Sequence, residues 1–276
     1  MSWPTWQQAV ALATVSVVLV VALGRAAPTR ARLATRSVAV EVGILAGLYA
    51  IWRIARKLPF ATTEGAVERA RWIDRFERAI HMPSELSLQE AVLDHGWIGR
   101  ALNTYYAVMH VPALLAFLVW LYVRQRDAFP HWRNGLAILT GACLVIRFLR
   151  VAPPRLVPDL GYIDLASIFG FSVYGPVGTG VSDQLAAMPS IHVGWAAVVS
   201  FGIVATSTSR WRWVFALHII ITSIAVSATG NHWWLDGIVA IVLLWVGLWA
   251  DAAVRRALAR RHTVDTEAAP VMAPAG

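Results

Sequence analysis

Two apolar runs, residues 193 to 208 and 213 to 229, separate the stretch Pro189 to His192 (PSIH) from the stretch His232 to Asp236 (HWWLD). They leave the chain few folds to choose from. At about 1.5 Å per helical residue, each run crosses most of a hydrocarbon core of about 30 Å. Arg210 and Arg212 divide the two runs, so the path goes out, turns at a basic patch and comes back. His232 therefore returns to the membrane face where His192 began, and two histidines, a serine and an aspartate meet at one interface.

The rest of the sequence has the same character. It is 58% hydrophobic and 14% charged, with 14 tryptophans, which is the make-up of an all-α integral membrane protein rather than a soluble domain. The net charge of +8 comes from arginines gathered in loops, with Lys57 the only lysine. That pattern suits lipid headgroups and excludes the basic stripe of a nucleic-acid binder. Cys143 is the single cysteine, so neither an intrachain disulfide nor a cysteine-rich zinc site is available. The first apolar run has no basic region before it and no small-residue cleavage site, and it reads as a span rather than a removed signal peptide.

Taken in order, the chain predicts about seven transmembrane helices. Residues 1–60 form a hairpin of two spans, about 6 to 23 and 37 to 54, the second carrying Glu41. Residues 61–100 hold an amphipathic interfacial helix, with Ala66, Ala70, Ile73, Phe76 and Ile80 on its apolar face and Glu68, Asp74, Glu77 and Arg78 among the charges opposite. Asp94 and His95 read as a solvated turn before Gly96. Residues 101–254 form the catalytic transmembrane domain, with spans near 101–123, 134–151, 193–208, 213–229 and 235–250. Asn103, Tyr106 and His110 share one face of the first of these, a polar stripe directed into the bundle and read as a hydrogen-bond network. The loop 152–188 is rich in Pro and Gly and longer than a connection requires, as functional loops are. Residues 255–276 make a basic, disordered tail. Arginines crowd the loops after spans one, three and five and the C-terminus, which places the C-terminus in the cytoplasm and both histidine stretches on the extracytoplasmic side of a plasma membrane. Trp3, Trp52, Trp97, Trp132, Trp211, Trp213, Trp233 and Trp249 fall near span ends and read as an aromatic belt. His81, His131, His218 and His262 read as hydrogen-bonded residues near span ends.

The residue types at the shared interface define a chemistry. His232 and Asp236 are four apart at a helix start, so the carboxylate can fix the imidazole tautomer and leave the other ring nitrogen as nucleophile or base. His192 at the same depth can serve as acid, because an ordinary imidazole titrates near neutrality. Ser190 precedes a helix, where a hydroxyl and free backbone N–H groups bind an anion. Arg155, with Arg150 and Arg147, brings guanidinium forks suited to phosphate oxygens. Nucleophile, acid, orienter and anion cradle add up to phosphoryl transfer through a phosphohistidine, which requires neither metal nor nucleotide cofactor.

APPR at 152 to 155, MPSIHVGW at 188 to 195 and NHWWLD at 231 to 236 resemble the three motifs of the type 2 phosphatidic acid phosphatase superfamily. They are most similar to its branch of fungal inositol phosphorylceramide synthases and their bacterial relatives. The resemblance implies a six-helix catalytic bundle with His232 as nucleophile, Asp236 orienting it, His192 protonating the leaving oxygen, and Ser190 and Arg155 holding phosphate. Two positions depart from the phosphatase pattern. Phe148 stands where a lysine precedes the first-motif arginine by seven residues, and Val226 where an arginine precedes the nucleophile by six. Fewer cations favour a singly charged phosphodiester donor and transfer to an alcohol over hydrolysis of a doubly charged monoester, unless Thr229, Asn231 or a loop arginine supplies the missing donor. The expected partners are membrane lipids, as donor and as alcohol acceptor, or a sugar alcohol. Two other readings use some of the same residues: His192, His232 and Asp236 as zinc ligands, or a transporter or channel with Glu41, His110 and Arg147 along a polar path. Broken helices or related halves would favour the transporter, and the sequence shows neither.

Overall fold

A computed structural model describes residues 4–55, 64–170 and 184–267, the side chains only as far as residue 260. Gly175, Pro176, Gly178 and Gly180 of the long loop, Lys57, Trp3, and the tail beyond residue 267 lie outside the described residues. The chain separates into two compact units, residues 1–61 and 62–276.

The first unit is a hairpin of α1 (Trp6–Arg25) and α2 (Arg30–Ala55). Thr5 and Gln8 start α1 with a capping box, each side chain taking the other's backbone N–H. The two helices approach closely at Gly43, where an added Cβ would lie 3.1 Å from Ser16 Cβ. The Tyr49 hydroxyl closes the open end on the Pro4 carbonyl at 3.0 Å.

The second unit is a helical bundle. Its elements are α3 (Ala66–Ala79), α4 (Glu85–Leu93), α5 (Gly96–Val108), α6 (His110–Arg124), α7 (Phe129–Ile146), the short α8 (Leu165–Phe169), α9 (Ile191–Thr206), α10 (Ala216–Ala228) and α11 (Trp234–Glu267). Short 3-10 helices cover Pro154–Leu156 and Arg210–Phe215. Among the described residues four helices are long and apolar enough to cross a membrane: α1, α2, Arg210–Ala228 and Trp234–Arg260. The bent pair α5–α6 brings the number to five, short of seven; α9, on the fifth apolar run, has 16 residues. At about 1.5 Å each these make roughly 24 Å, less than a full hydrocarbon core.

The sequence shows no broken helix, yet α5 and α6 meet at a 52° bend. Pro112 explains it. Proline has no N–H for the carbonyl four residues back, and its ring pushes that carbonyl aside. The Tyr106 carbonyl at the break is taken by the His110 ring, whose Nδ1 lies 3.0 Å away.

Two other expectations are corrected. On α3 the buried stripe is Ala66, Ala70, Ile73 and Glu77, while Phe76 and Ile80 are exposed. Glu77 replaces an apolar residue there because its carboxylate has a task inside the bundle, described below. Trp132 and Trp233 are core residues rather than belt residues: the Trp233 indole donates to the Ala152 carbonyl at 3.0 Å, and the Trp132 ring packs edge-on to Phe117. Trp97, Trp211, Trp213 and Trp249 are exposed, as a belt requires. Asp94 and His95 are exposed in a turn, His131 and His218 are hydrogen-bonded to Asp251 and Tyr105, and Asn103 donates to the Gly170 carbonyl.

Candidate active site

The three motif stretches are joined by their backbones before any side chain is considered. The Val151 N–H donates to the Leu185 carbonyl at 2.9 Å and the Ala187 N–H returns to Val151 at 3.1 Å, a short parallel bridge between the APPR and PSIH segments. The Arg155 N–H donates to the Gly230 carbonyl at 3.0 Å, and the Ser190 N–H to the Asp236 carbonyl at 3.0 Å. Gly230 has φ +67, and a Cβ there would meet Arg155 Cβ and Gln89 Nε2 at 3.2 Å, so both conformation and space call for glycine.

Carboxylates fix the start of α11. The first turn of a helix presents N–H groups with no partner inside the helix, and its positive end favours anions. Here Asp236 accepts from the Trp233 N–H at 2.9 Å, Glu77 from Leu235 at 2.7 Å and Glu85 from Trp234 at 3.3 Å. Arg78 pairs with Glu85. Burial, with the hydrogen bond and charge of neighbouring Glu85, pushes the Glu77 carboxyl up to about 9. Gln89 is also buried: it donates to the Ala228 carbonyl at 3.0 Å and accepts from the Ile163 N–H at 2.7 Å, which ties α4 to the end of α10.

Within this frame His232 is held by its Nδ1. That atom lies 2.8 Å from the Ala187 carbonyl and 3.3 Å from Asp236 Oδ2. A carbonyl oxygen only accepts, so Nδ1 carries a proton, and in the neutral ring the lone pair is then on Nε2. Asp236 stands in reach as expected, but the nearer partner is a backbone carbonyl. His232 Nε2 faces His192 Nδ1 at 3.3 Å. The His192 ring is half-buried in the first turn of α9, with Tyr106 and His110 each at 4.7 Å between ring centroids. Ser190 is the N-cap of α9; its Oγ accepts from the Val193 N–H at 3.3 Å and is fully buried.

The Arg155 side chain is 2% exposed. It donates to Asn231 Oδ1 at 2.5 Å and lies 3.5 Å from Gln184 Oε1 and 3.7 Å from Asp164 Oδ2. Asn231 in turn donates to Thr229 Oγ1 at 2.8 Å, and the Thr229 hydroxyl donates to the Ala225 carbonyl at 2.7 Å. Thr229 and Asn231 are thus committed to one another and to Arg155. Arg147 and Arg150 lie half-buried just beyond α7, where burial, and after it the charge of Arg147, hold the Arg150 guanidinium below its ordinary pKa. The Arg150 carbonyl accepts from Arg69 Nε at 2.6 Å. Val226 is buried with Tyr106 and Val193, and its carbonyl accepts from the N–H groups of Asn231 and His232.

His192, His232 and Asp236 contact one another in series, and among the described residues no three His, Cys, Asp or Glu side chains are grouped to hold a metal ion. The arrangement offers a buried imidazole with an oriented lone pair, a second imidazole against it, and a guanidinium held nearby. Five residues that build the site, Gln184, Ala187, Glu77, Glu85 and Gln89, are not marked as such by sequence pattern. Asn231 is marked, as a polar neighbour of His232 and a candidate donor to phosphate.

Among the described residues the protein is a helical bundle with paired imidazoles at the junction of three motif loops. Residues 71–250 match the family model of the PAP2 superfamily, and the chain belongs to that superfamily. Its members are in general phosphatases and phosphotransferases. The chain matches no curated protein and no solved structure.

Proposed function

We propose that the protein is a lipid phosphotransferase that carries a phosphorylated headgroup on His232. The observation that carries this reading is the His232 ring, held through Nδ1 by Ala187 and Asp236 with Nε2 facing His192. In the first step the Nε2 lone pair attacks phosphorus, the bond to the donor's leaving oxygen breaks, and that oxygen takes a proton from His192. In the second, an acceptor hydroxyl attacks phosphorus, the N–P bond breaks with its electron pair returning to Nε2, and the hydroxyl proton passes to a neutral imidazole. Arg155, positioned by Asn231, holds the phosphoryl oxygens together with the α9 N-terminus at Ser190; Arg147 and Arg150 add positive charge beside them. His192, His232 and Asp236 act without a metal ion.

Transfer from a phosphodiester, phosphoinositol being one such headgroup, is favoured over monoester hydrolysis by Val226. Its side chain is sealed among Tyr106 and Val193, and neither Thr229 nor Asn231 has a donor to spare for a second phosphate charge. The catalytic bundle is that of the inositol phosphorylceramide synthase branch, within a multi-span protein of the plasma membrane. The site opens outward and the C-terminus is inside. A Glu90→Cys protein tests the sidedness, since Glu90 is exposed on α4 and the native Cys143 is buried. An impermeant maleimide labels it from outside; labelling only after lysis inverts the topology. The activity is tested by incubating the purified protein with phosphate monoesters and diesters, with and without an alcohol, and identifying products by mass. Transfer product from diesters supports the reading, and free phosphate from monoesters alone makes the protein a phosphatase. The bend between α5 and α6 keeps a transporter reading open, and that reading predicts no product from any of them.

A further inference from the structure

A third imidazole adjoins the pair. His110 lies on the first turn of α6, immediately after the bend, 5% exposed and fixed by its own Nδ1 on the Tyr106 carbonyl. The same logic as for His232 applies: the carbonyl accepts, Nδ1 carries the proton, and Nε2 is a lone-pair acceptor. That Nε2 is buried and has no hydrogen-bond partner among the described residues. A buried polar atom left unpaired costs about 1–3 kcal/mol, so it calls for an occupant. The His110 ring centroid lies 4.7 Å from that of His192, which lies 5.5 Å from that of His232.

We propose that His110 Nε2 is the base of the second half-reaction, accepting the hydrogen of the alcohol that attacks the phosphohistidine. The inference rests on the phosphotransferase reading given above and assigns the imidazole that reading leaves open. The acceptor oxygen forms the new O–P bond as the His232 N–P bond breaks, and its proton moves to His110 Nε2. Water then takes that proton from His110 and returns one to His192, which gave its own to the leaving alcohol. The two proton transfers thus belong to different histidines. His192 serves the donor and His110 serves the acceptor. The Pro112 bend is what makes this division available: it interrupts the α5–α6 path and sets a side chain of α6 beside the first turn of α9. The Tyr105 hydroxyl is bonded to His218 Nδ1 at 2.5 Å and Thr222 Oγ1 at 3.1 Å, while the Tyr105 ring stands edge-on to His110 at 6.0 Å.

The test separates the half-reactions in the full chain, with a p-nitrophenyl alkyl phosphodiester as donor and octanol as acceptor. Release of p-nitrophenolate and the phosphohistidine trapped by rapid quench report the first half; octyl product reports the second. His110→Phe keeps a ring against His192 but removes the acceptor nitrogen. The expected result is phosphohistidine formation within about threefold of wild type and transfer reduced about 100-fold or more, with the phosphoenzyme accumulating. His110→Gln, whose amide oxygen falls near the place of Nε2, restores part of the transfer. Unchanged transfer in His110→Phe overturns the proposal. So does loss of both halves together while His110→Gln forms phosphohistidine normally and transfers no better, because His110 would then serve only to pack His192. Absence of phosphohistidine in the wild-type protein would overturn the underlying phosphotransferase reading, and the proposal with it.

Discussion

The long helix α11 carries an aspartate at each end of its apolar length, Asp236 paired with His232 just before the helix and Asp251 with His131 on α7, and the two pairs differ in what they leave unsatisfied. At Asp236 the partner is His232, whose Nε2 faces another imidazole, and Asp236 Oδ1 is buried without a hydrogen bond among the described residues. Fifteen residues on, about 22 Å along the helix, Asp251 accepts from His131 at 2.7 Å, Asn134 at 2.6 Å and Arg255 at 2.6 Å. Both its oxygens are used, and the cluster ties α7 to α11. A satisfied network gives rigidity, whereas an unsatisfied one is tolerated where a ligand completes it. The pairing of residue types is therefore no guide to chemistry. What distinguishes the ends is which nitrogens and oxygens are left over.

That contrast is broken or sharpened by substitutions at the two ends. The largest effect is expected at His232: His232→Ala loses turnover to background in a product assay, while His131→Ala keeps most of it. Equal losses would remove the distinction. Next is Asn231→Ala, which takes from Arg155 its acceptor at 2.5 Å. A hydrogen bond to a charged group contributes about 1.5–3 kcal/mol, so kcat/KM falls about 10- to 100-fold, mostly through KM, with the fold intact by circular dichroism. At the far end, Asp251→Ala leaves the donors of three side chains with one fewer acceptor. It is expected to destabilise by about 1–3 kcal/mol in thermal unfolding while turnover at low temperature is little changed.

The remaining effect is on the pH dependence of stability rather than on turnover. Glu77 has a folded pKa of about 9, raised from 4.5 by burial and by Glu85. A raised folded pKa contributes stability that is fully present below the unfolded value and is lost as pH rises through the folded one. The melting temperature of the wild type therefore declines between about pH 5 and 9, and Glu77→Gln, which keeps an acceptor for the Leu235 N–H, flattens that decline. A parallel decline in both proteins would assign it to other groups.

The two ends also show what a sequence can disclose. His192, His232, Asp236, Ser190 and Arg155 are legible because the proposed chemistry calls for those side chains within short motifs, and the out-and-back path of two apolar runs brings the histidine motifs together. The Ala187 carbonyl that holds His232 has no signature, since every residue carries a carbonyl and only the bridge to Val151 aims this one. Glu77 belongs by its spacing to a solvated face, because charge at helical spacing ordinarily marks one; contact with the α11 N-terminus reverses this. Trp233 has the position of a belt residue at a span end, yet its indole is needed by the Ala152 carbonyl. The bend is encoded in Pro112, but a proline inside an apolar run does not by itself say whether the helix kinks or ends. The apolar runs locate the helices but not how many cross, since short helices such as α9 fall between a span and a buried core element.

The central claim is that His232 Nε2 carries the phosphoryl group. Rapid alkaline quench of the protein turning over a phosphorus-labelled diester, followed by peptide mapping, tests it most directly. An acid-labile, alkali-stable label on His232, absent from His232→Ala and present in His131→Ala, is the predicted result. Turnover in which the label sits on another residue, or on none while the His232→Ala protein still forms product, would contradict it.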